Sequence, residues 1–552
     1  QAFEDEAFGG KYIAAYVVAD TQLDFGKLAD FIRSRKPAYM VPAAFMQLDS
    51  IPLNQNQKVN RRALPKPERR AEEKEFVEPA TPLEREICAK YAEILGLDRV
   101  SATDSFFDIG GSSISAAEVV SYAMDKGYNI VYKDVFTNPS ARELARAIGG
   151  MGKTGQADAA ADFDYTAINK LIAVNAMDHL DELSAQPLGN VILAGATGFL
   201  GIHVLRGFLK KCDGTITCLV RRGSYESAER RLILLLMYYF GENLEELFGK
   251  RVFCIEGDIT EPESLTCLDA LDAGTVINCA ASVKHFTKDD TLDRINVHGV
   301  ENLVDVCVRS SKRLVQISTL SVAGEMDAGS LTTLKENMLY FGQNVENDYV
   351  RTKFLAERVI LDARVNRGLD AVILRAGNLM GRNTDGEFQI NFESNAFMRS
   401  LWAYIRLGQC PFSVLEQPAE FSPIDSVAEA VLTFAGADKR FSIFHMNNNH
   451  LITMGDVLEA VRRHGFDVKT VSDETFKKTL AEAAKHEEES RAVISLVAYA
   501  NKEGENLRMV DSENRFSTNA LFRLGFFWPI VDNTYLEKLI MSLDTLGFFT
   551  MM

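Results

Sequence analysis

Tyr349 and Lys353 stand four residues apart in the run Tyr-Val-Arg-Thr-Lys, thirty residues past Thr319. On a helix, residues at that spacing share a face. An ammonium beside a phenol stabilises the phenolate and lowers its pKa, so the tyrosine can give a proton to a carbonyl oxygen as hydride arrives at the carbon. Lys353 is also suited to holding a ribose. Thr319, which follows the strand-like run Val315-Gln-Ile317, is suited to donating a hydrogen bond to a developing oxyanion. Tyrosine and lysine at this spacing are common on helix surfaces, so the pair gains weight only from signals in the right order around it.

The first such signal lies upstream. Val191-Ile-Leu-Ala leads into Gly195-Ala-Thr197-Gly198-Phe199-Leu200-Gly201 and then into an apolar helical pattern. Glycines at a strand-to-helix turn let a pyrophosphate approach the helix N-terminus. The next strand-like run ends in Arg221 and Arg222, where an NAD enzyme usually has an acidic residue for the ribose hydroxyls. Arginine there would pair with the additional phosphate of NADP, against the plainer reading of two solvated arginines. Asp258, ending a further strand, is placed near the adenine. Ala280, in Asn278-Cys-Ala-Ala281, is small enough to let the nicotinamide side pass.

These residues need a scaffold, and the pattern supplies one. Apolar, β-prone runs at 191–194, 215–220, 252–256, 275–279, 313–317 and 371–374 alternate with helical segments. That alternation predicts βαβ crossovers and an α/β Rossmann-type doubly wound parallel sheet. The remainder, to residue 552, mixes helix and loop and is expected to form a smaller C-terminal substrate-binding subdomain. Upstream, 12–19 and 45–48 read as strands flanking a helical 25–34, a small α+β unit. A charged stretch, 66–78, reads as a linker. From Thr81 a helix begins with a threonine cap, a proline and an early carboxylate, and helical segments follow at 113–126 and 140–148. Three or four short helices in about 70 residues form a small bundle, and the Gly- and Ala-rich 149–161 reads as a flexible tether.

Composition sets limits. The 552 residues, 47% hydrophobic, suffice for several cores, and a net charge of −17 from 60 basic and 77 acidic residues disfavours a general nucleic-acid or anionic-membrane surface. The eight cysteines are scattered without a CxxC pair or metal-ligand spacing, so no metal site is expected and the thiols suit a reducing cytoplasm. No signal peptide opens the chain, and the apolar 232–240 is too short to span a bilayer. A chain that opens on Gln1, within what reads as a folded unit, is expected to be a fragment of a longer polypeptide.

With Gly195, Gly198, Gly201, Thr319, Tyr349, Lys353 and Arg375-Ala-Gly-Asn378-Leu-Met-Gly381, residues 190 to about 440 resemble the extended short-chain dehydrogenase/reductase family. The last segment and Phe421-Ser-Pro-Ile-Asp425 resemble its thioester-reductase branch, which terminates non-ribosomal peptide synthetases and carboxylic acid reductases. Asp104-Ser-Phe-Phe-Asp-Ile-Gly-Gly-Ser-Ser113-Ile resembles the attachment loop of carrier proteins, which implies that Ser113 receives 4'-phosphopantetheine. Pro37-Ala-Tyr-Met-Val-Pro42 and 51–65 resemble the C-terminal subdomain of adenylating enzymes. Lys58 matches the lysine that closes over the acyl-adenylate there, although Gln57 and Asn60 stand where that family usually has glycine and aspartate.

The resemblance implies a multidomain chain: an adenylation lid subdomain at 1–70, a four-helix carrier bundle at 78–150 and an NADPH-dependent thioester reductase at 165–552. The implied activity is reductive release of an acyl or peptidyl thioester as an aldehyde, or after a second reduction an alcohol. Implied partners are an upstream adenylation core, condensation domains and a phosphopantetheinyl transferase. Other readings stay open: a carboxylic acid or aminoadipate reductase, a redox-inactive cyclase, or a docking module.

Overall fold

The computed structural model describes residues 2–5, 10–19, 23, 25, 28, 32, 42, 44–48, 50–52, 64–65, 76–111, 113–126, 128, 130, 134–135, 138–150, 160–221, 223, 225–283, 290–327, 329–392, 395–483, 496 and 507–549. They fall into two compact units, Gln1–Thr154 and Gly155–Met552. Most of the expected linker and tether, and Lys58 with its loop, lie outside the described residues.

In the first unit, β1 (Ala2–Asp5) runs antiparallel to β2 (Gly10–Val17), which pairs in parallel with β3 (Ala44–Gln47). The bundle follows: α1 (Pro82–Leu95), α2 (Ser113–Asp125) and α3 (Ala141–Gly150). Helix α1 starts as its sequence dictates. Thr81 Oγ1 accepts from Glu84 N at 3.0 Å and Pro82 occupies the first turn, where its missing N–H costs nothing. The bundle core is Tyr91, Phe106, Val119, Val120 and Leu144, with the Tyr91 and Phe106 rings 4.5 Å apart. Residues 149–150, expected in the tether, instead finish α3.

The second unit is built on a seven-stranded sheet. Its strands are β4 (Val191–Ala194), β5 (Ile216–Val220), β6 (Val252–Glu256), β7 (Thr275–Asn278), β8 (Arg313–Thr319), β9 (Ala371–Ala376) and β10 (Ile443–Met446). All pairings are parallel, in the order β10-β9-β8-β7-β4-β5-β6. The chain leaves β4 toward β6, returns to the other side at β7 and continues to β10. The order therefore reverses beside β4, and in such sheets ligands bind at that switch point.

Alternate β4 side chains face opposite layers, as the pleat requires. Val191 and Leu193 join a core with α4 (Phe199–Lys211), α5 (Ala228–Phe240) and α8 (Ile424–Ala435). Ile192 and Ala194 join one with α6 (Gly299–Ser310) and α7 (Asp348–Arg367). A third core, including Phe388, Leu401, Phe421, Leu458 and Leu539, gathers most of the C-terminal region, including α9 (Asn533–Thr545). Strand β10 belongs to the sheet, although its sequence falls in the region expected to be separate from it. Its four residues are all buried and include His445, so they offer neither length nor alternation to read.

Candidate active site

At the end of β4 the chain turns with Gly195 at φ +79°. A Cβ there would lie 2.4 Å from Ala280 N, and one on Gly201 would lie 2.1 Å from Gly195 O. Both glycines are thus needed for packing: the turn rests on the end of β7, and α4 closes onto the turn. Gly198 differs, since its Cβ would meet only Gly195 O, at 3.3 Å, and it caps α4 with no side-chain hydrogen bond. The α4 N-terminus keeps its backbone donors for an anion. Thr197 and Gly198 border that opening, whereas Leu200 is buried in the core and Phe199 packs on His203, Tyr239 and Phe388.

Beyond β5, Arg221 is exposed, with Nη1 3.5 Å from Asp258 Oδ2. Asp258 Oδ1 accepts from Thr260 N and Thr260 Oγ1, both at 2.9 Å, which fixes its turn. Arg222 lies outside the described residues. Arg231, near the start of α5, donates through Nη1 to Arg221 O at 2.6 Å, and its guanidinium lies 5.6 Å from the Tyr225 ring centroid. It thereby joins Arg221 at this strand end. Its place ten residues away on a helix gave no motif by which to find it.

At the end of β8, Thr319 Oγ1 accepts from Ser321 N at 3.1 Å. Helix α7 delivers Tyr349 and Lys353 to the same strand end, and its cap sets their register: Asn347 Oδ1 accepts from Tyr349 N at 3.1 Å and Val350 N at 3.2 Å. The Tyr349 phenol lies near enough to Thr319 for the threonine hydroxyl to act on its titration. Burial pushes the tyrosine pKa up and the Thr319 hydroxyl opposes it. Lys353 Nζ donates to Ile317 O at 2.9 Å, two residues before Thr319 on the same strand. Burial lowers the Lys353 pKa to about 8, while Glu357 and Cys279 pull it up. Burial likewise raises the Cys279 thiol to about 12, which leaves it a poor nucleophile at neutral pH.

Two further residues frame the site. Asn296 sits in a π-helical turn, Arg294–His298, and its Nδ2 reaches Thr352 Oγ1 at 3.2 Å and Ser282 O at 2.9 Å. Such turns concentrate at functional sites. Across the strand end, Ala376 pairs with Thr319, and the chain continues into Gly377 and Asn378. Glu420 accepts there from Asn378 N, from Ser422 Oγ and, at 3.3 Å, from Asn448 N. Burial raises its pKa to about 7. Neither residue stands out in sequence, because both matter through contacts made far along the chain.

In the first unit α2 begins at Ser113, and Gly111 precedes it where a Cβ would lie 2.4 Å from Phe106 O. Gly111 thus packs against the bundle's central ring, whereas Gly110 meets nothing and is needed for its φ of +112°. Among the described residues no cluster of metal-ligating side chains occurs, and no helix is long and apolar enough to cross a membrane.

A parallel doubly wound sheet with a glycine turn at its switch point, and with Thr319, Tyr349 and Lys353 brought toward the end of β8, places the second unit among Rossmann-type dinucleotide-binding folds. Residues 193–431 match the family described as male sterility protein, an NAD-binding family, and residues 85–148 match the phosphopantetheine attachment site family. A component of the linear gramicidin synthase of Brevibacillus parabrevis is 28% identical over 497 residues, covering 86% of this chain and 10% of the relative. The chain therefore spans about a tenth of that relative's length. A thiolation-reductase di-domain from an archaeal non-ribosomal peptide synthetase is 36% identical, with a TM-score of 0.74 over 86% of this chain and 100% of that one. The reductase domain of the aureusimine cluster is 25% identical, with a TM-score of 0.59 over 70% and 98%. The chain belongs to the thiolation-reductase family of non-ribosomal peptide synthetases.

Proposed function

We propose that the chain holds an acyl or peptidyl group as a thioester on a 4'-phosphopantetheine arm at Ser113 and releases it reductively with NADPH as an aldehyde. The observation behind this reading is the convergence of Thr319, Tyr349 and Lys353 at one strand end, two strands from the glycine turn, on a chain that also matches a phosphopantetheine attachment family. The open α4 N-terminus at Thr197 and Gly198 suits a pyrophosphate, and Arg221 with Arg231 suits the phosphate that distinguishes NADPH, a role for which the sequence also offers Arg222. Lys353 would hold the ribose, with Ala280 leaving room beside it. When bound there, NADPH would supply the hydride for the acyl carbon.

The protein's part is to manage charge and protons. Thr319 donates a hydrogen bond to the oxygen that becomes negative as the C=O bond is reduced. Tyr349 gives that oxygen its proton, assisted by the positive charge of Lys353. Collapse of the resulting hemithioacetal breaks the C–S bond. The carbonyl re-forms, the proton leaves, and the arm departs as a thiol. The sum is thioester plus NADPH plus a proton giving aldehyde, thiol and NADP.

We further read 1–70 as the C-terminal subdomain of an adenylating enzyme with Lys58 at its catalytic loop, 78–150 as the carrier and 165–552 as the reductase. Partners would be an upstream adenylation core, condensation domains and a phosphopantetheinyl transferase. The test is NADPH oxidation with trapping of the carbonyl product after Ser113 is loaded with acyl-phosphopantetheine, alongside NADH and Tyr349→Phe. The expected result is product with NADPH preference and a loss of roughly 10²- to 10⁴-fold in the variant. Tight NADPH binding without turnover across varied acyl groups would instead support a cyclase or docking role.

A further inference from the structure

Behind the Thr319 strand end lies an ion pair that the mechanism above does not use. Glu357 and Arg375 are completely buried, with Arg375 Nη2 2.7 Å from Glu357 Oε2 and Nε 3.1 Å from both carboxylate oxygens. The guanidinium also reaches Met338 O at 2.9 Å, Lys335 O at 3.4 Å and His445 Nε2 at 3.2 Å. A buried pair must repay the desolvation of two ions, and apolar residues of similar volume often serve a fold as well. Stability alone therefore gives no reason for a charge here.

The position of Glu357 supplies one. It lies one helical turn past Lys353 on α7, and the two side chains engage consecutive residues of β8: Lys353 Nζ donates to Ile317 O, and Ser318 Oγ donates to Glu357 Oε1 at 2.5 Å. Both contacts immediately precede Thr319. We propose that Glu357 is a positioning residue for the Lys353 ammonium: held by Arg375 and Ser318, its carboxylate keeps the buried lysine charged through the working pH range. This rests on the reading of Lys353 as the charged partner of Tyr349.

The groups around the lysine are few and named. Cys279 faces it from the end of β7, Ile317 O from β8, and Glu357 from its own helix. Arg375 on β9 and Ser318 on β8 face Glu357. Behind them are His445 on β10, held neutral by burial and by Arg375, and Glu336, whose carboxyl burial raises and Ser517 holds. Burial pulls Lys353 down and Glu357 is the first of the groups opposing it. Without that charge the lysine loses its proton at lower pH.

The experiment is the pH dependence of kcat/KM for the full chain with a soluble acyl-phosphopantetheine thioester, with NADPH affinity measured in parallel. Wild-type activity should fall as pH rises through about 8. In Glu357→Gln, which preserves size and polarity, that fall should come about one pH unit lower with NADPH affinity at pH 6.5 unchanged. An unmoved alkaline limb in a folded, NADPH-binding variant overturns the proposal. If Glu357→Gln does not fold, Arg375→Gln replaces it, and the limb should move to higher pH because the carboxylate then acts on the lysine unopposed. Failure of both variants to fold assigns the pair to the fold alone and overturns the proposal as well. Absence of wild-type turnover at every pH is a different result, and it removes the reading of Lys353 on which the proposal stands.

Discussion

At the scale of single residues, similar groups do different work according to what surrounds them. Gly195 and Gly201 are fixed by packing, whereas a Cβ on Gly198 would meet only Gly195 O, a distinction drawn by the surroundings and not by the motif. Glu420 offers a measurable case. Its pKa is raised to about 7 in the fold, against about 4.3 for an unperturbed glutamate. The folded state therefore binds that proton more tightly than the unfolded chain, and the stability so gained is complete below about pH 4.3 and lost as pH rises to about 7. Glutamine has no such proton. Across that window the stability difference between wild type and Glu420→Gln should drift in favour of the variant, as read by chemical denaturation at several pH values. A difference that stays constant with pH would show that Glu420 is not held protonated in the fold.

At the scale of elements, the register of α7 decides whether Tyr349 meets Thr319, and Asn347 sets that register by capping two backbone donors. Asn347→Ala should cost about 1 kcal/mol in unfolding free energy. It should also lower kcat roughly tenfold, because a small misplacement at the reacting centre is amplified in rate. NADPH affinity, to which the β4 turn and Arg221 would contribute as well as Lys353, should fall less than kcat; a loss of affinity equal to the loss in kcat would place the effect elsewhere. Six of the seven central strands were legible in the sequence because each is an apolar run followed by a helical pattern, and local periodicity suffices for those. The glycine turn and the tyrosine-lysine helix were legible for the same reason: their spacing is their mechanism. What escaped is held by distant contacts. Glu357 meets Arg375 and Ser318 from 18 and 39 residues away, and Arg375 meets His445 across 70. Strand β10 was hidden by its brevity, and Arg231 by lying on a helix that reads only as amphipathic.

At the scale of the whole molecule, the chain contains two compact units joined through a segment that lies mostly outside the described residues. If Ser113 carries the substrate, tethering replaces a bimolecular encounter with an effective concentration in the millimolar range for a short flexible connection. Ser113→Ala should then abolish turnover of carrier-loaded substrate while leaving NADPH binding and reduction of a soluble acyl-phosphopantetheine thioester intact. The soluble thioester should saturate only near that effective concentration if the arm adds proximity alone. Saturation far below it would mean that the reductase unit recognises the acyl group and arm by itself, and that the carrier contributes loading more than delivery. Loss of soluble turnover in Ser113→Ala would be harder to reconcile with any delivery role, since the substituted serine starts a helix in the other unit from the Thr319, Tyr349 and Lys353 constellation.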